Sequence, residues 1–413
     1  MVCNECKPEF DKLVKRIDGL ERKLLAYENA HTPSSKLRFP PKRNVEHPGK
    51  AGQKQGHKGT TREQSNPTMT IEVIEEQCPH CKKELGSPFK VETKIIEDIP
   101  DPQPVLITEY KINHYLCKHC RKEVIAHAHI PEQSNFGANT LAHVALLKYE
   151  DRLPLRKVVS SLQRLFGLTI SPGTIFDITR RVSDKLQPAY EGIKKSLRMA
   201  KVVYVDETTI RINGVTYWLW TFTTAKLTLY VVRKSRGRNV LEEVLGKNFN
   251  GIIVCDGWTS YPQFTSFIQR CWAHLLREAK FLAEKFDSAK NLHEGLKQLY
   301  EKLTAQKPPS KEMAIIELQQ WIDYAECYTE LRKFAVKVRN GVQYWFTFLS
   351  NKNVEPTNNR AERALRELIV QRKIMGTLRN EKGATIFERI NTVLATWKQR
   401  ECNVFNELKA RLC

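Results

Sequence analysis

Apolar residues at Phe10, Leu13, Ile17, Leu20, Leu24 and Tyr27 advance by three and four positions in turn, which predicts a helix over residues 1–30 with an a/d heptad seam. Such a seam is buried either by pairing helices between protomers or by laying one amphipathic helix on the protein's own surface. The periodicity then stops. Residues 31–70, through HTPSSKLRFPPKRNVEHPGKAGQKQGHKGTTREQSN, are rich in Pro, Gly and polar residues and predict a flexible linker. Two runs of strand character, KVETKIIEDI and VLITEYKINHYL, lie within residues 71–130. Residues 131–200 turn helical, with ANTLAHVALLKYEDR, LPLRKVVSSLQRLFG and SPGTIFDITRRVSDKL. Gly167 closes one helix, and Ser171 with Pro172 supplies the N-cap and first position of the next, so 155–182 reads as a helix-turn-helix.

Strand signals return at 201 with VVYVDE, VTYWLWTFTT and LTLYVVRK, then a helical RNVLEEVLG, then GIIVCD. Three consecutive strands, a helix and a fourth strand describe a mixed α/β sheet like that of the ribonuclease H fold, assigned to residues 201–274. Charged helical patterning over 275–350 predicts an all-helical insertion. Residues 351–413 return to the core with C-terminal helices, broken near Gly376 and Gly383. The expected architecture is multidomain, α/β plus α: a ribonuclease H-like catalytic core with an all-helical insertion, preceded by a zinc ribbon and a helix-turn-helix helical domain.

Composition sharpens this. With 67 Lys and Arg against 46 Asp and Glu, the chain carries a net charge of +21, which favours a polyanionic partner, double-stranded DNA before an anionic membrane. Eight of the basic residues, Lys36, Arg38, Lys42, Arg43, Lys50, Lys54, Lys58 and Arg62, fall between Lys36 and Arg62 of the linker with one acid, Glu46, a tract suited either to following a phosphate backbone or to plain solvation. On the second helix of the helix-turn-helix, Thr174, Asp177, Arg180 and Arg181 can face a DNA groove, although the same geometry occurs in plain helical bundles. No run reaches the roughly 18 apolar residues of a membrane span, and the N-terminus has no signal-peptide pattern, so a cytoplasmic location is expected.

Six of the eleven cysteines form C-x-x-C pairs. CPHC at 78–81 and CKHC at 117–120 predict a structural zinc held by Cys78, Cys81, Cys117 and Cys120, with His80, His114 and His119 as substitutes. Cys3 and Cys6 have no evident partner pair. Asp206 and Asp256 each end a strand-like run, where the ligand crevice of an α/β sheet opens, and Glu362 begins a helical segment. Three carboxylates suit a pair of Mg²⁺ or Mn²⁺ ions for phosphodiester chemistry. Glu207 rivals Asp206, but neighbouring strand positions face opposite ways. Trp258, Tyr261, His274 and Arg277 follow as candidate phosphate neighbours. Cys271 is expected to pack; Arg366, one turn beyond Glu362, is placed to orient it or neutralise phosphate. Asn358 and Asn359 are candidate helix caps. No G-x-S-x-G, Walker or G-x-G-x-x-G motif is present.

Taken together, HTPSSK, GQKQGHKG, CPHC, CKHC, VDET, CDGWTSY, CWAHLLRE and EPTNNRAERALRELIVQRK make the chain resemble the insertion sequence 66 family of DDE transposases. The resemblance implies a ribonuclease H-like core with a helical insertion, Asp206, Asp256 and Glu362 as catalytic acids, and a C-x-x-H element carried by Cys271 and His274. The choice of Glu362 over Glu355 or Glu367 rests chiefly on the motif TNNRAER. Also implied are DNA cleavage and strand transfer at element ends. The expected setting is prokaryotic and nucleoid-associated, with a homo-oligomer and small accessory proteins of the element as partners. Two other readings stay open, a non-catalytic transposase-derived regulator and a structure-specific DNA nuclease.

Overall fold

The computed structural model describes residues 66–126 and 134–412; the heptad helix of residues 1–30, Cys3, Cys6 and the basic tract from Lys36 to Arg62 lie outside the described residues. Contacts divide the chain into two units, residues 37–103 and the remainder. In the first, the backbone turns around CPHC: Lys82 N–H donates to Cys78 O (2.9 Å), Cys78 N–H to Lys83 O (2.8 Å), and Lys82 takes a positive φ of 60°. The second repeats this turn at CKHC, where Arg121 N–H donates to Cys117 O (2.8 Å), Cys117 N–H to Lys122 O (2.9 Å), and Arg121 has φ 55°. Here the turn joins β1 (His114–Leu116) and β2 (Glu123–Ile125), which pair antiparallel. The long strand-like runs are otherwise not strands: 90–99 forms none, and only the end of 105–116 does. Their apolar residues, Ile96, Ile99, Leu106 and Ile107 among them, are exposed, and an alternating pattern makes a strand only when a neighbour pairs with it.

The second unit continues with four helices: α1 (Ala138–Ala145), prolonged by a π-turn over Leu146–Glu150, α2 (Leu155–Phe166), α3 (Pro172–Lys185) and α4 (Gln187–Arg198). Between α2 and α3 the local chemistry is as expected. Gly167 closes α2 at φ 64°, and the Ser171 hydroxyl accepts the Thr174 N–H as N-cap of α3. These helices do not form a separate core. Leu141, Val158, Ile175, Val182 and Leu197 share one cluster with Val203, Trp220 and Val231 of the sheet that follows.

That sheet is built from β3 (Val202–Ile212), β4 (Val215–Thr223), β5 (Thr228–Arg233), β6 (Ile252–Cys255) and β7 (Ile268–Arg270) in the order β5-β4-β3-β6-β7. The first three form an antiparallel meander; β6 and β7 run parallel to β3. Asn213 and Gly214, both at positive φ, make the two-residue turn from β3 to β4, the residue pair such a turn demands. Crossing over are α5 (Arg238–Leu245), which buries Val240, Leu241, Val244 and Leu245, and the short α6 (Ser260–Phe264).

After β7 come α7 (Trp272–Ala283), α8 (Ser288–Leu303), α9 (Lys311–Glu326), α10 (Arg332–Arg339) and α11 (Thr347–Ser350), which bury a core of their own around Trp272, Leu296, Leu318, Phe334 and Trp345. Gly295 is required where α8 meets α9: a Cβ there would fall 1.9 Å from the Trp321 indole. The insertion is stitched to β7. Gln269 donates to Trp345 O (3.1 Å) and accepts from Phe348 N–H (2.9 Å), while Arg270 donates to Lys337 O (3.0 Å).

The chain closes with α12 (Asn359–Met375), α13 (Glu381–Gln399) and α14 (Val404–Leu412). Leu365 and Leu368 of α12 cover the face of the sheet that carries Ile210, Leu219 and Tyr230. Along the outer edge, α13 replaces a neighbouring strand. Thr228, Tyr230 and Val232 donate their N–H groups to Thr396 Oγ1 (3.1 Å), Thr392 Oγ1 (2.9 Å) and Glu388 Oε1 (2.6 Å). Two strand residues rise about 6.7 Å and four helical residues about 6 Å, so every second strand donor meets every fourth helix side chain. This is why Glu388, Thr392 and Thr396 are buried on α13: each satisfies an edge donor that would otherwise lack a partner.

Candidate catalytic carboxylate cluster

Strand alternation separates the two acids of VDET. Asp206 shares its face of β3 with Tyr204 and Ile210, whereas Glu207 shares the other with Val203 and Val205. Glu207 is buried, accepts from the Tyr261 hydroxyl (2.5 Å) and is paired with Arg236 (2.7 Å). Burial, then the charge of Asp256, pushes its carboxyl up to about 7, against the opposing pull of Tyr261 and Arg236. Tyr261, expected near a scissile phosphate, is instead wholly buried as the donor that fixes Glu207.

Asp206 is held well above the usual carboxylate range, chiefly by burial and then by the charges of Glu207, Asp256 and Glu362. The charges of Glu207, Asp256 and Glu362 thus all act on Asp206, and carboxylate oxygens are the donors that suit hard divalent cations, whose charge would relieve the repulsion. Asp256, just beyond β6, accepts the Trp258 N–H (2.8 Å) and lies 3.9 Å from Arg236 Nη2. Arg236 is layered between two indoles, 3.9 Å from the Trp258 ring centre and 4.6 Å from that of Trp218. Trp258 remains 37% exposed, so one edge of this layered stack is open to a ligand beside Asp256.

Glu362 lies in the first turn of α12, where the helix dipole favours a carboxylate. Its oxygens lie 3.5 Å from His274 Nδ1 and 3.8 Å from Arg277 Nη2, both on α7. Arg366 is exposed and makes no ion pair with Glu362; the arginine beside that carboxylate is Arg277. Glu355, the rival acid, is taken up by Arg360 (2.6 Å), and Glu367 by Arg152 (3.1 Å).

Asn358 does not cap α12 with its side chain. Wholly buried, it donates from Nδ2 to Val205 O (2.7 Å), one residue before Asp206, and from its backbone N–H to Cys271 Sγ (3.1 Å), while Trp272 N–H donates to Pro356 O (3.0 Å). One residue therefore ties β3, the start of α7 and the start of α12 together. The paired asparagines of TNNRAER signal a helix start, but nothing in their spacing says that one side chain is spent on a strand. Arg236, which lies 29 residues after Glu207, carried no signal either.

The cysteines of the two turns near residues 80 and 120 have their own electrostatics. The N–H groups of Cys81 and His80 lower the Cys78 thiol, and those of Cys120 and His119 lower the Cys117 thiol. His114 is engaged across β1 and β2 by Glu123 (2.7 Å).

The profile of the family described as "Transposase IS66 family" matches residues 133–386, which include the sheet, the insertion and all three acids. An uncharacterized protein, y4qI, of Sinorhizobium fredii (strain NBRC 101917 / NGR234) is 26% identical over 182 residues, 38% of this chain and 33% of that protein. The match therefore spans about a third of the relative's length.

Proposed function

Since the chain belongs to the IS66 family of transposases, we propose that it binds the ends of a mobile DNA element and cleaves and joins DNA strands at Asp206, Asp256 and Glu362. What supports this most is the electrostatic meeting of acids distant in sequence: after burial and the neighbouring Glu207, Asp206 is raised by the charges of Asp256 and Glu362, which lie 50 and 156 residues further along the chain. The strand order, with a three-stranded meander and two parallel strands, supports the ribonuclease H-like reading of the core. Mg²⁺ or Mn²⁺ held by these carboxylates would polarise the scissile phosphate and the attacking oxygen.

The chain's own groups have separable tasks. Asn358 and the β3–β6 pairing set where Asp206 and Asp256 point, and His274 and Arg277 set the position of Glu362. Arg277, 45% exposed, is also placed to contact phosphate oxygens. DNA capture is assigned to α2 and α3, on which Asp177 and Arg180 are exposed, together with the basic linker. The matching turns at CPHC and CKHC, with thiols lowered by backbone N–H groups, support their use as zinc knuckles. Among the described residues no helix is long and apolar enough to cross a membrane; a cytoplasmic, nucleoid-associated location and a homo-oligomer with accessory proteins complete the proposal.

The test is cleavage and joining of labelled element ends in Mg²⁺. Asp206→Asn, Asp256→Asn and Glu362→Gln should each abolish both steps and leave end binding intact. Equal activity in the variants sinks the carboxylate assignment. Cleavage without joining of precut ends would identify a nuclease, and binding without either step a regulator.

A further inference from the structure

We propose that Cys271, His274 and Glu362 form a second cation site, selective for zinc-like ions, which draws on the same glutamate as the catalytic cluster. The sharing rests on the reading of Glu362 as catalytic; the ligand set stands without it. One ligand atom from each residue lies within 4.8 Å of the other two, and among the described residues no other His, Cys, Asp and Glu group of three or more meets that distance. His274 Nδ1 and Glu362 Oε1 are 3.5 Å apart. Around a tetrahedral zinc, with bonds of about 2.0–2.3 Å, ligand atoms are spaced about 3.3–3.8 Å, so small side-chain rotations would close the site.

The fold prepares these atoms. Cys271 is the N-cap of α7 and His274 its third residue, so both lie at one end of the helix and face the first turn of α12. Cys271 Sγ accepts the Asn358 N–H at 3.1 Å, the kind of backbone donor that steadies a metal thiolate. Glu362 Oε1 is buried and accepts no hydrogen bond. The donor types separate this site from its neighbour: sulfur, nitrogen and one carboxylate suit zinc, whereas Asp206 and Asp256 offer oxygen alone, which suits magnesium. Three protein ligands leave a fourth position for water. On binding, the Cys271 S–H proton leaves to solvent as the sulfur–metal bond forms, with no change of oxidation state. A carboxylate held there is withheld from the Asp206 and Asp256 cations, so zinc-like ions would act as a brake on Mg²⁺-dependent chemistry.

The experiment is anaerobic titration of the metal-free full chain with Co²⁺, read by thiolate-to-cobalt absorbance and by bound metal per chain. Wild-type protein should take up about one equivalent more than Cys271→Ser or His274→Ala, whatever the other cysteines bind. Glu362→Gln should weaken that equivalent by at least about tenfold, and Asp206→Asn should retain it. Identical uptake in wild type, Cys271→Ser and His274→Ala overturns the proposal, as does loss of the extra equivalent in Asp206→Asn, which would place the cobalt among the catalytic carboxylates. Because the count needs no DNA, a chain that fails to cut DNA but shows the extra equivalent refutes only the catalytic reading.

Discussion

Replacing Gly341 by alanine should loosen the helical insertion from the sheet. Gly341 has φ −133° and ψ 19°, which alanine tolerates, so the effect is steric alone. The new Cβ would lie 1.9 Å from Arg270 Nη1 and 2.2 Å from its Cζ, where ordinary contact needs about 3.5 Å. The guanidinium must therefore retreat by more than an ångström from a place in which it is only 6% exposed. It would give up its hydrogen bond to Lys337 O at 3.0 Å, a charged-donor bond of about 1.5–3 kcal/mol. Its places over Tyr344 and Trp345, 5.6 and 5.7 Å from the ring centres, add roughly 0.5–1 kcal/mol each. Alanine recovers about 0.4–1 kcal/mol by restricting the unfolded chain. The net cost is about 1.5–4.5 kcal/mol, read as a lower urea midpoint at unchanged slope. Lys337 packs beside Gly257, next to Asp256, so DNA cleavage should fall as well. The decisive comparison is a double-mutant cycle: in an Arg270→Ala background, Gly341→Ala should cost almost nothing. An equal cost in both backgrounds, or no cost in either, refutes the steric argument.

Other expectations concern charge and metal. Burial raises the Glu388 carboxyl against the pull of Arg233, and a carboxyl raised by folding contributes stability that is full below its ordinary value of 4.5 and lost as pH rises through the folded value. The stability of wild type relative to Glu388→Gln, measured by urea unfolding, should therefore fall as pH rises above the ordinary carboxyl value and through the raised folded one; a flat difference refutes the assignment. Elemental analysis of protein purified without chelator should find about one more zinc per chain in the wild type than in the Cys78→Ser, Cys117→Ser double variant. Absence of zinc from the wild type would count against the paired knuckles.

Periodicity and punctuation revealed the parts of the molecule that local rules govern. Three strands, a helix and a fourth strand were legible from apolar runs, and Gly167 with Ser171 and Pro172 marked the turn between α2 and α3. The period of two along β3 was enough to separate Asp206 from Glu207. Partnerships over long sequence distances were not legible. An amphipathic helix announces that it needs a partner, not which one, so α1–α4 read as a domain of their own although they share the core of the sheet. The arginine beside Glu362 comes from α7, not from the same helix one turn on, because convergence of two elements decides that contact. The alternation in residues 90–99 misled for the same reason: strand character is realised only in a pair.

The match between β5 and α13 makes the last long helix a ruler laid against the sheet. Removing or adding one residue between Glu388 and Thr396 turns the helix beyond that point by about 100°, so the side chains past the change lose step with the strand together. Length changes inside this stretch are therefore close to all-or-none. An edge already read out by side chains also has no free rungs along those three donors for another strand. A strand from any other chain must therefore pair elsewhere than at these three donors.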